Sequence, residues 1–309
     1  MKKILALMLA LVMALALCAC GGQPTDEPAP EENTDNQTET VEIPPVEDLT
    51  GTDTSAIPGV EDGVLTVGME CAYAPYNWTQ TDDSNGAVPI VNNPGSYANG
   101  YDVMIAKRIC EAYGWELEVQ SINWDGLIPA LNAGTIDAVI AGQSMTDERM
   151  EQVDMAGPYF YASIVCVAKA DSDQAAAKGI SELTGTCTAQ TGTIWYDSCL
   201  PQVKGAEVMP EAESAPAMIM AVASGTVDFI CTDMPTAMGA CATYPDLKIM
   251  DFSGTEDDFQ VDEGEINIGI SVVKGNTELK DAMDKVLAPL NADIFNALMN
   301  QAIEVQPTI

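Results

Sequence analysis

The hydrophobic and polar positions of the chain fall into two alternating patterns after about residue 60. Short continuous apolar runs, such as residues 64–69 and 138–141, predict strands buried on both faces. Residues 102–113 have apolar positions at helical spacing, which predicts an amphipathic helix with Asp102 as its cap and Gly114 at its end. The order strand, helix, strand, helix, strand predicts an α/β fold with mostly parallel sheets flanked by helices.

A short pattern occurs twice in this region. Residues 133–141 read Ala-Gly-Thr-Ile-Asp-Ala-Val-Ile-Ala, and residues 224–232 read Ser-Gly-Thr-Val-Asp-Phe-Ile-Cys-Thr. In each copy the glycine predicts the end of a helix, and a buried strand follows it. We interpret the copies as two similar α/β units that form two lobes facing one cleft. The alternative is a chance similarity of two helix-to-strand turns.

The start of the chain has the pattern of an export signal. Lys2 and Lys3 precede an apolar run over residues 4–17, which is short for a membrane span and typical of a signal-peptide core. The run ends in Leu-Cys-Ala-Cys-Gly, which resembles a bacterial lipobox and predicts a lipoprotein signal peptide over residues 1–19 with Cys20 as the lipidated residue. Cleavage at Cys18 and an ordinary signal peptide are the alternatives.

Residues 20–58 lack aliphatic periodicity and are rich in Pro, Thr, Glu and Asp, so we predict an acidic disordered tether. Residues 79–99 are rich in Gly, Asn, Ser and Pro and predict an inserted loop, placed over the mouth of the cleft in one interpretation.

Composition narrows the function. The formal net charge of −35 argues against nucleic acid as a partner, which requires basic patches. The chain has no histidine, which excludes a Ser–His–Asp triad and a histidine metal site. The nine cysteines show no zinc spacing, so we predict no metal site and no cofactor. Residues 187 with 199 and 231 with 241 are candidate disulfide pairs, whose connectivity the sequence leaves open.

The candidate chemistry follows the first copy of the repeat. The strand at residues 138–141 runs into Gly142-Gln143-Ser144, and Thr146 predicts a helix cap. A strand that leads into a helix N-terminus is a suitable place for an anion. Arg149, one of only two arginines in the chain, can grip a carboxylate with two hydrogen bonds.

This segment resembles the extracytoplasmic solute-binding proteins of amino-acid ABC transporters, family 3, over residues 60 to 305. The resemblance implies a type II periplasmic-binding-protein fold with two hinged lobes and a lipoprotein form. It places lobe 1 at residues 59–168 plus 267–309 and lobe 2 at residues 169–266, with hinges at 168–170 and about 266–270.

The resemblance also implies roles for nine residues. Gly142, Ser144 and Arg149 would hold the α-carboxylate of an amino acid, helped by Thr193 and the amide of Ile194. Asp233 on the other lobe would receive the α-ammonium. The ligand side chain would meet Glu70, Tyr73 and Trp124, which favours a polar or basic amino acid.

The resulting prediction is a monomeric receptor that is no enzyme. It would stand lipid-anchored on the extracytoplasmic face of the cell membrane and deliver its amino acid to an ABC permease. One alternative is an enzyme on the same scaffold, such as a dehydratase of a cyclic acid with Glu70 as acid or base. The others are a binding protein for a different solute and a sensor ectodomain or adhesin.

Overall fold

The structure is a computed structural model, and it describes residues 41–307. Within that range no helix combines the length and the hydropathy that a membrane span requires. In chain order the strands are β1 (Val64–Met69), β2 (Ala72–Tyr73), β3 (Asn77–Gln80), β4 (Val88–Pro89), β5 (Tyr97–Asn99), β6 (Glu116–Ser121), β7 (Ala138–Ser144), β8 (Val153–Tyr161), β9 (Ile164–Lys169), β10 (Gly185–Thr188), β11 (Ala206–Val208), β12 (Phe229–Asp233), β13 (Leu247–Asp251) and β14 (Asn267–Val273). The helices are α1 (Tyr101–Tyr113), α2 (Leu127–Asn132), α3 (Asp147–Gln152), α4 (Ala215–Ala223), α5 (Met234–Thr243), α6 (Glu263–Ile266), α7 (Thr277–Leu287) and α8 (Ala292–Val305).

Two five-stranded sheets form the two lobes. Their strand orders are β6-β1-β7-β14-β8 and β11-β10-β12-β9-β13. In each sheet the first three strands run parallel, the fourth is antiparallel to both of its neighbours, and the fifth returns to the common direction. The predicted α/β fold with mostly parallel sheets and flanking helices is therefore confirmed.

The repeated pattern occupies equivalent places in the two lobes. Its strands, β7 and β12, are the third strands of their sheets. In the first copy Asp137 Oδ2 accepts a hydrogen bond from the Thr66 amide on β1 at 2.8 Å. In the second copy Asp228 Oδ2 accepts one from the Thr186 amide on β10 at 2.7 Å. In both lobes the aspartate of the repeat thus binds the backbone of the neighbouring parallel strand, an interaction that we call the clip of the repeat. The interpretation of the repeat as a chance similarity is therefore wrong.

The chain first crosses between the sheets earlier than predicted. β8 belongs to the first sheet and β9 to the second, so the crossing lies at residues 162–163 and not at 168–170. The run at residues 164–169 is buried because β9 is an inner strand of the second sheet, and an apolar pattern does not reveal which sheet will bury it. On the return, Ile266 O accepts the Ala162 amide at 2.8 Å, and β14 begins at Asn267 in the first sheet.

The segment before β1 is packed where we predicted a disordered tether. Leu49 is only 6% exposed, and its amide donates to Ala112 O at the end of α1. Arg108 donates to Pro44 O at 2.7 Å. The prediction is therefore wrong for residues 41–58, where scattered aliphatic side chains find partners on lobe 1. Residues 20–40, the signal peptide and Cys20 lie outside the described residues.

The insertion at residues 79–99 is a small sheet and not a loop over the cleft. β3, β4 and β5 join β2 in a four-stranded antiparallel sheet. Just after β4, Ile90 bridges Val119 on β6, the edge strand of the first sheet. The insertion thus covers an edge whose backbone groups would otherwise be unpaired.

All seven cysteines in residues 41–307 are free, so neither candidate disulfide forms. Cys231 on β12 lies directly opposite Cys166 on β9 in the antiparallel pairing of the two strands, without a bond between their sulfur atoms. Both thiols are fully buried among apolar side chains, where cysteine behaves as a small hydrophobic residue.

Candidate functional site

The cleft between the lobes brings seven of the nine predicted residues to its two cavities, whereas Glu70 and Asp233 line neither cavity and lie buried behind them. Six of them, with Gln190 and Trp195, line a narrow inner cavity; these six are Tyr73, Trp124, Gly142, Ser144, Arg149 and Thr193. An outer cavity of about 810 Å³ opens beside the inner one. It is lined by Ile194 and, again, by Trp124 and Arg149. Six carboxylate residues line the outer cavity: Asp125, Asp147, Glu148, Asp197, Asp262 and Glu265.

Arg149 supplies the positive charge of the cleft. Thr146 caps α3 as predicted, since its side chain accepts the Arg149 amide at 3.2 Å. The guanidinium donates to the Ser144 carbonyl and, at 3.3 Å, to the Gly192 carbonyl on the other lobe. It also lies 5.8 Å from the ring centre of Trp124, within the range of a cation–π contact.

No carboxylate of residues 41–307 forms a salt bridge with Arg149. Burial lowers the pKa of its guanidinium to about 10, which still leaves it charged at neutral pH. A partly buried cation whose hydrogen-bond acceptors are neutral carbonyls is suited to receive an anion.

Gly142 and Ser144 lie at the end of β7, next to this cation. Gly142 has φ +65°, and a Cβ atom there would come within 2.8 Å of Tyr73 Cε1. Only glycine therefore fits this position. The Gly142 amide donates to the Tyr159 hydroxyl at 2.9 Å, so it is engaged within lobe 1. Ser144 is 8% exposed and borders the inner cavity.

Asp233 faces these residues from the end of β12. It caps α5, since its Oδ1 accepts the Thr236 amide at 2.9 Å. Its Oδ2 accepts the Tyr73 hydroxyl of lobe 1 at 2.6 Å. Asp233 is 1% exposed, and burial raises the pKa of its carboxyl group. The contact closes the lobes on each other and leaves a buried carboxylate without a cationic partner among the described residues.

Glu70 lies at the end of β1 and also bridges the lobes. Gln190 Nε2 approaches its Oε2 at 3.4 Å, a long hydrogen bond. Burial raises the pKa of Glu70 to about 7. The ionised form of such a carboxyl group is stabilised when a cation or a stronger hydrogen-bond donor approaches it.

Thr193 and Ile194 lie in the turn that follows β10. Thr193 Oγ1 donates to the Gln190 carbonyl at 2.7 Å, and the short π-helical turn Trp195–Cys199 begins directly after Ile194. The turn presents its first residues to the cleft opposite Arg149, because Gly192 O accepts from that side chain.

The model for bacterial extracellular solute-binding proteins, family 3, matches residues 65–303. The chain belongs to this family.

A family relative of similar length is a probable histidine-binding protein from Neisseria gonorrhoeae, with 28% identity over 93% of this chain and 91% of that protein. The arginine-bound form of a truncated ArgBP from T. maritima superposes with a TM-score of 0.60 at 28% identity, covering 75% of this chain and 99% of that one. A third relative is AncCDT-1, an ancestral amino acid-binding protein described as a precursor of cyclohexadienyl dehydratase. It has a TM-score of 0.63 at 25% identity, covering 79% of this chain and 97% of that one.

Several residues of this family 3 protein reach the site without having been predicted. Gln190 lines the inner cavity beside Trp195, which we expected only at the rim of the cleft, and Tyr76 stacks on Tyr73 with ring centres 4.8 Å apart. Gln190 lies two residues after the end of β10, so its position at a strand end was an available signal. Tyr159 offered no such signal, because it comes from β8 and reaches Gly142 only through the tertiary fold.

Proposed function

We propose that this protein captures an amino acid between its lobes and delivers it to an ABC permease. The observation that carries the proposal is the Arg149 guanidinium, which is partly buried in the cleft and has only carbonyl acceptors. Asp233 lies across the same cleft with a buried carboxylate. One lobe thus offers a cation and the other an anion, which matches the carboxylate and ammonium groups of a free amino acid.

The preferred ligand is a basic or polar amino acid. Glu70 is buried between the lobes beside Gln190 of the inner cavity, where a cationic side chain would relieve the desolvation of its carboxylate. Tyr73 and Trp124 add aromatic faces to the inner cavity. The acidic lining of the outer cavity attracts cations toward this entrance. The relatives whose names mention histidine and arginine support the same class.

Binding requires no chemistry in this proposal. A ligand that contacts both lobes stabilises the closed form, and the closed form docks on the permease. The receptor would act as a monomer, held on the extracytoplasmic face of the membrane by lipid on Cys20. The apolar run at residues 4–17 and the lipobox-like Leu-Cys-Ala-Cys support this anchoring.

Isothermal titration calorimetry on the full chain with the proteinogenic amino acids tests the proposal. We expect one basic or polar amino acid to bind, and Arg149→Ala to cost about 2–5 kcal/mol of binding free energy because a buried carboxylate loses its charged partner. Arg108→Ala is the matched control: it removes the other arginine, which lies on α1, and should leave the dissociation constant unchanged.

Full affinity in Arg149→Ala would contradict the assigned carboxylate site. The dehydratase alternative keeps one specific observation in its favour, the pKa of Glu70 near neutrality, which suits an acid or base. Incubation of the protein with a cyclic acid, followed by product analysis, distinguishes the two, because a receptor leaves the acid intact.

A further inference from the structure

One buried carboxylate in lobe 1 connects two segments that reach the cleft, the loop after β1 and the end of β7. Asp102 was predicted as the cap of α1, but the cap position is Gly100, and Asp102 lies in the first turn with 0% exposure. Its Oδ2 accepts a hydrogen bond from Asn77 Nδ2 at 2.7 Å, and its Oδ1 accepts one from the Tyr159 hydroxyl at 2.7 Å.

The direction of each hydrogen bond in this network follows from two backbone amides, which can only donate. The Cys71 amide donates to Asn77 Oδ1 at 2.7 Å, so the Nδ2 of Asn77 must point to Asp102. The Gly142 amide donates to the Tyr159 hydroxyl oxygen at 2.9 Å, so that hydroxyl must pass its own hydrogen to Asp102. Both chains end on Asp102, whose two oxygens both act as acceptors once its carboxyl group is ionised, above its pKa of about 7.

The two amides belong to the segments that carry the candidate ligand contacts. Cys71 lies directly after Glu70 and adopts φ +56°, an unusual conformation for a residue other than glycine. Gly142 packs against the ring of Tyr73, which in turn reaches Asp233. Movement of either amide would therefore displace Glu70 or Tyr73 in the cleft.

We infer that Asp102 is a positioning residue of the ligand site: through Asn77 and Tyr159 it holds the loop after β1 and the end of β7 in register with each other. It acts without touching the ligand, since both of its oxygens accept hydrogen bonds inside lobe 1, whereas Glu70 and Asp233 bond across the cleft to the other lobe. The effect on affinity rests on the function proposed above, whereas the network itself does not.

An exchange of the two polar side chains tests the role. Asp102→Asn turns one acceptor into a donor that faces another donor, and we expect amino-acid affinity to fall at least about tenfold because a buried donor loses its acceptor. Asn77→Asp alone places two carboxylates face to face and should be at least as harmful. The double variant Asn77→Asp/Asp102→Asn restores a donor opposite every acceptor, so we expect its dissociation constant to return to within about threefold of the parent protein.

Asp137→Asn is the matched control in the same lobe. Asp137 also accepts a backbone amide, that of Thr66, but lies just before the start of β7, at the opposite end of the strand from Gly142 and Ser144, so its substitution should leave affinity unchanged even where the melting temperature falls. If the double variant shows the summed losses of the single variants, or if Asp102→Asn binds as the parent does, the positioning role is wrong.

Hydrogen exchange of individual amides separates this inference from the proposed function, because it needs no ligand. By NMR on the full chain, the Cys71 and Gly142 amides should exchange faster in Asp102→Asn and regain protection in the double variant. Tyr159→Phe should expose the Gly142 amide and spare that of Cys71. Equal protection of both amides in the parent and in Asp102→Asn overturns the inference, whichever solute the protein binds.

Discussion

At the scale of single residues, Gly142 is the position where the cleft tolerates least change. Its φ of +65° strains any other residue, and a Cβ atom would meet the Tyr73 ring at 2.8 Å. We predict that Gly142→Ala lowers the free energy of unfolding by about 2–3 kcal/mol, from backbone strain plus overpacking, and weakens amino-acid binding because Tyr73 must move. Urea denaturation and calorimetry measure the two effects.

Gly134→Ala separates the two causes. Gly134 has φ +70°, but open space surrounds its Cβ position. It should therefore show the strain of about 1–2 kcal/mol and no loss of affinity. Equal effects of the two substitutions on binding would show that the contact with Tyr73 does not matter.

The residues that were predictable share one property: each lies at a strand end or a helix start that the chain itself marks. Arg149 follows its Thr146 cap, and Asp233 ends β12 directly after the second copy of the repeat. The part played by Asp102 was missed because its partners, Asn77 and Tyr159, are 25 and 57 residues away along the chain. Such a network is a consequence of tertiary packing, which local patterns do not encode.

At the scale of elements, the clips of the repeat should stabilise each lobe without affecting the site. Asp137 and Asp228 each tie the start of a central strand to its parallel neighbour. We predict that Asp137→Ala and Asp228→Ala each cost about 1 kcal/mol of unfolding free energy, a modest value because both side chains are partly solvated, and leave ligand affinity unchanged.

The matched Asp→Asn variants retain an acceptor oxygen and should lose less, which denaturation with urea can resolve. A loss of ligand affinity in either alanine variant would show that the clip also shapes the cleft.

The same repeat explains why strand positions were predictable. The buried run of its first copy, residues 138–141, predicted the start of β7, as the run at residues 64–69 predicted β1, whereas the assignment of β9 to a lobe depends on which sheet has room for it.

At the scale of the whole molecule, acidity and burial together predict an unusual dependence of stability on pH. Burial raises the pKa of Glu70 from 4.5 to about 7 and that of Asp102 from 3.8 to about 7. Between about pH 5 and pH 7 the folded chain thus holds protons that the unfolded chain has released. The free energy of unfolding should therefore fall as pH rises through this window, by up to about 1.4 kcal/mol per pH unit for each group.

Urea denaturation at pH 5, 6 and 7 at constant ionic strength measures this slope, and Glu70→Gln isolates one contribution. The net charge of −35 adds a repulsion of the same sign, but the substitution leaves that background almost unchanged, so the slope should become shallower in the variant by about one group's share. A basic amino acid in the cleft should favour the ionised form of Glu70 and release protons on binding. It should therefore bind more tightly at pH 8 than at pH 6. An identical slope in Glu70→Gln and the parent protein would show that Glu70 titrates normally, and would remove the argument that a cationic ligand side chain is drawn to it.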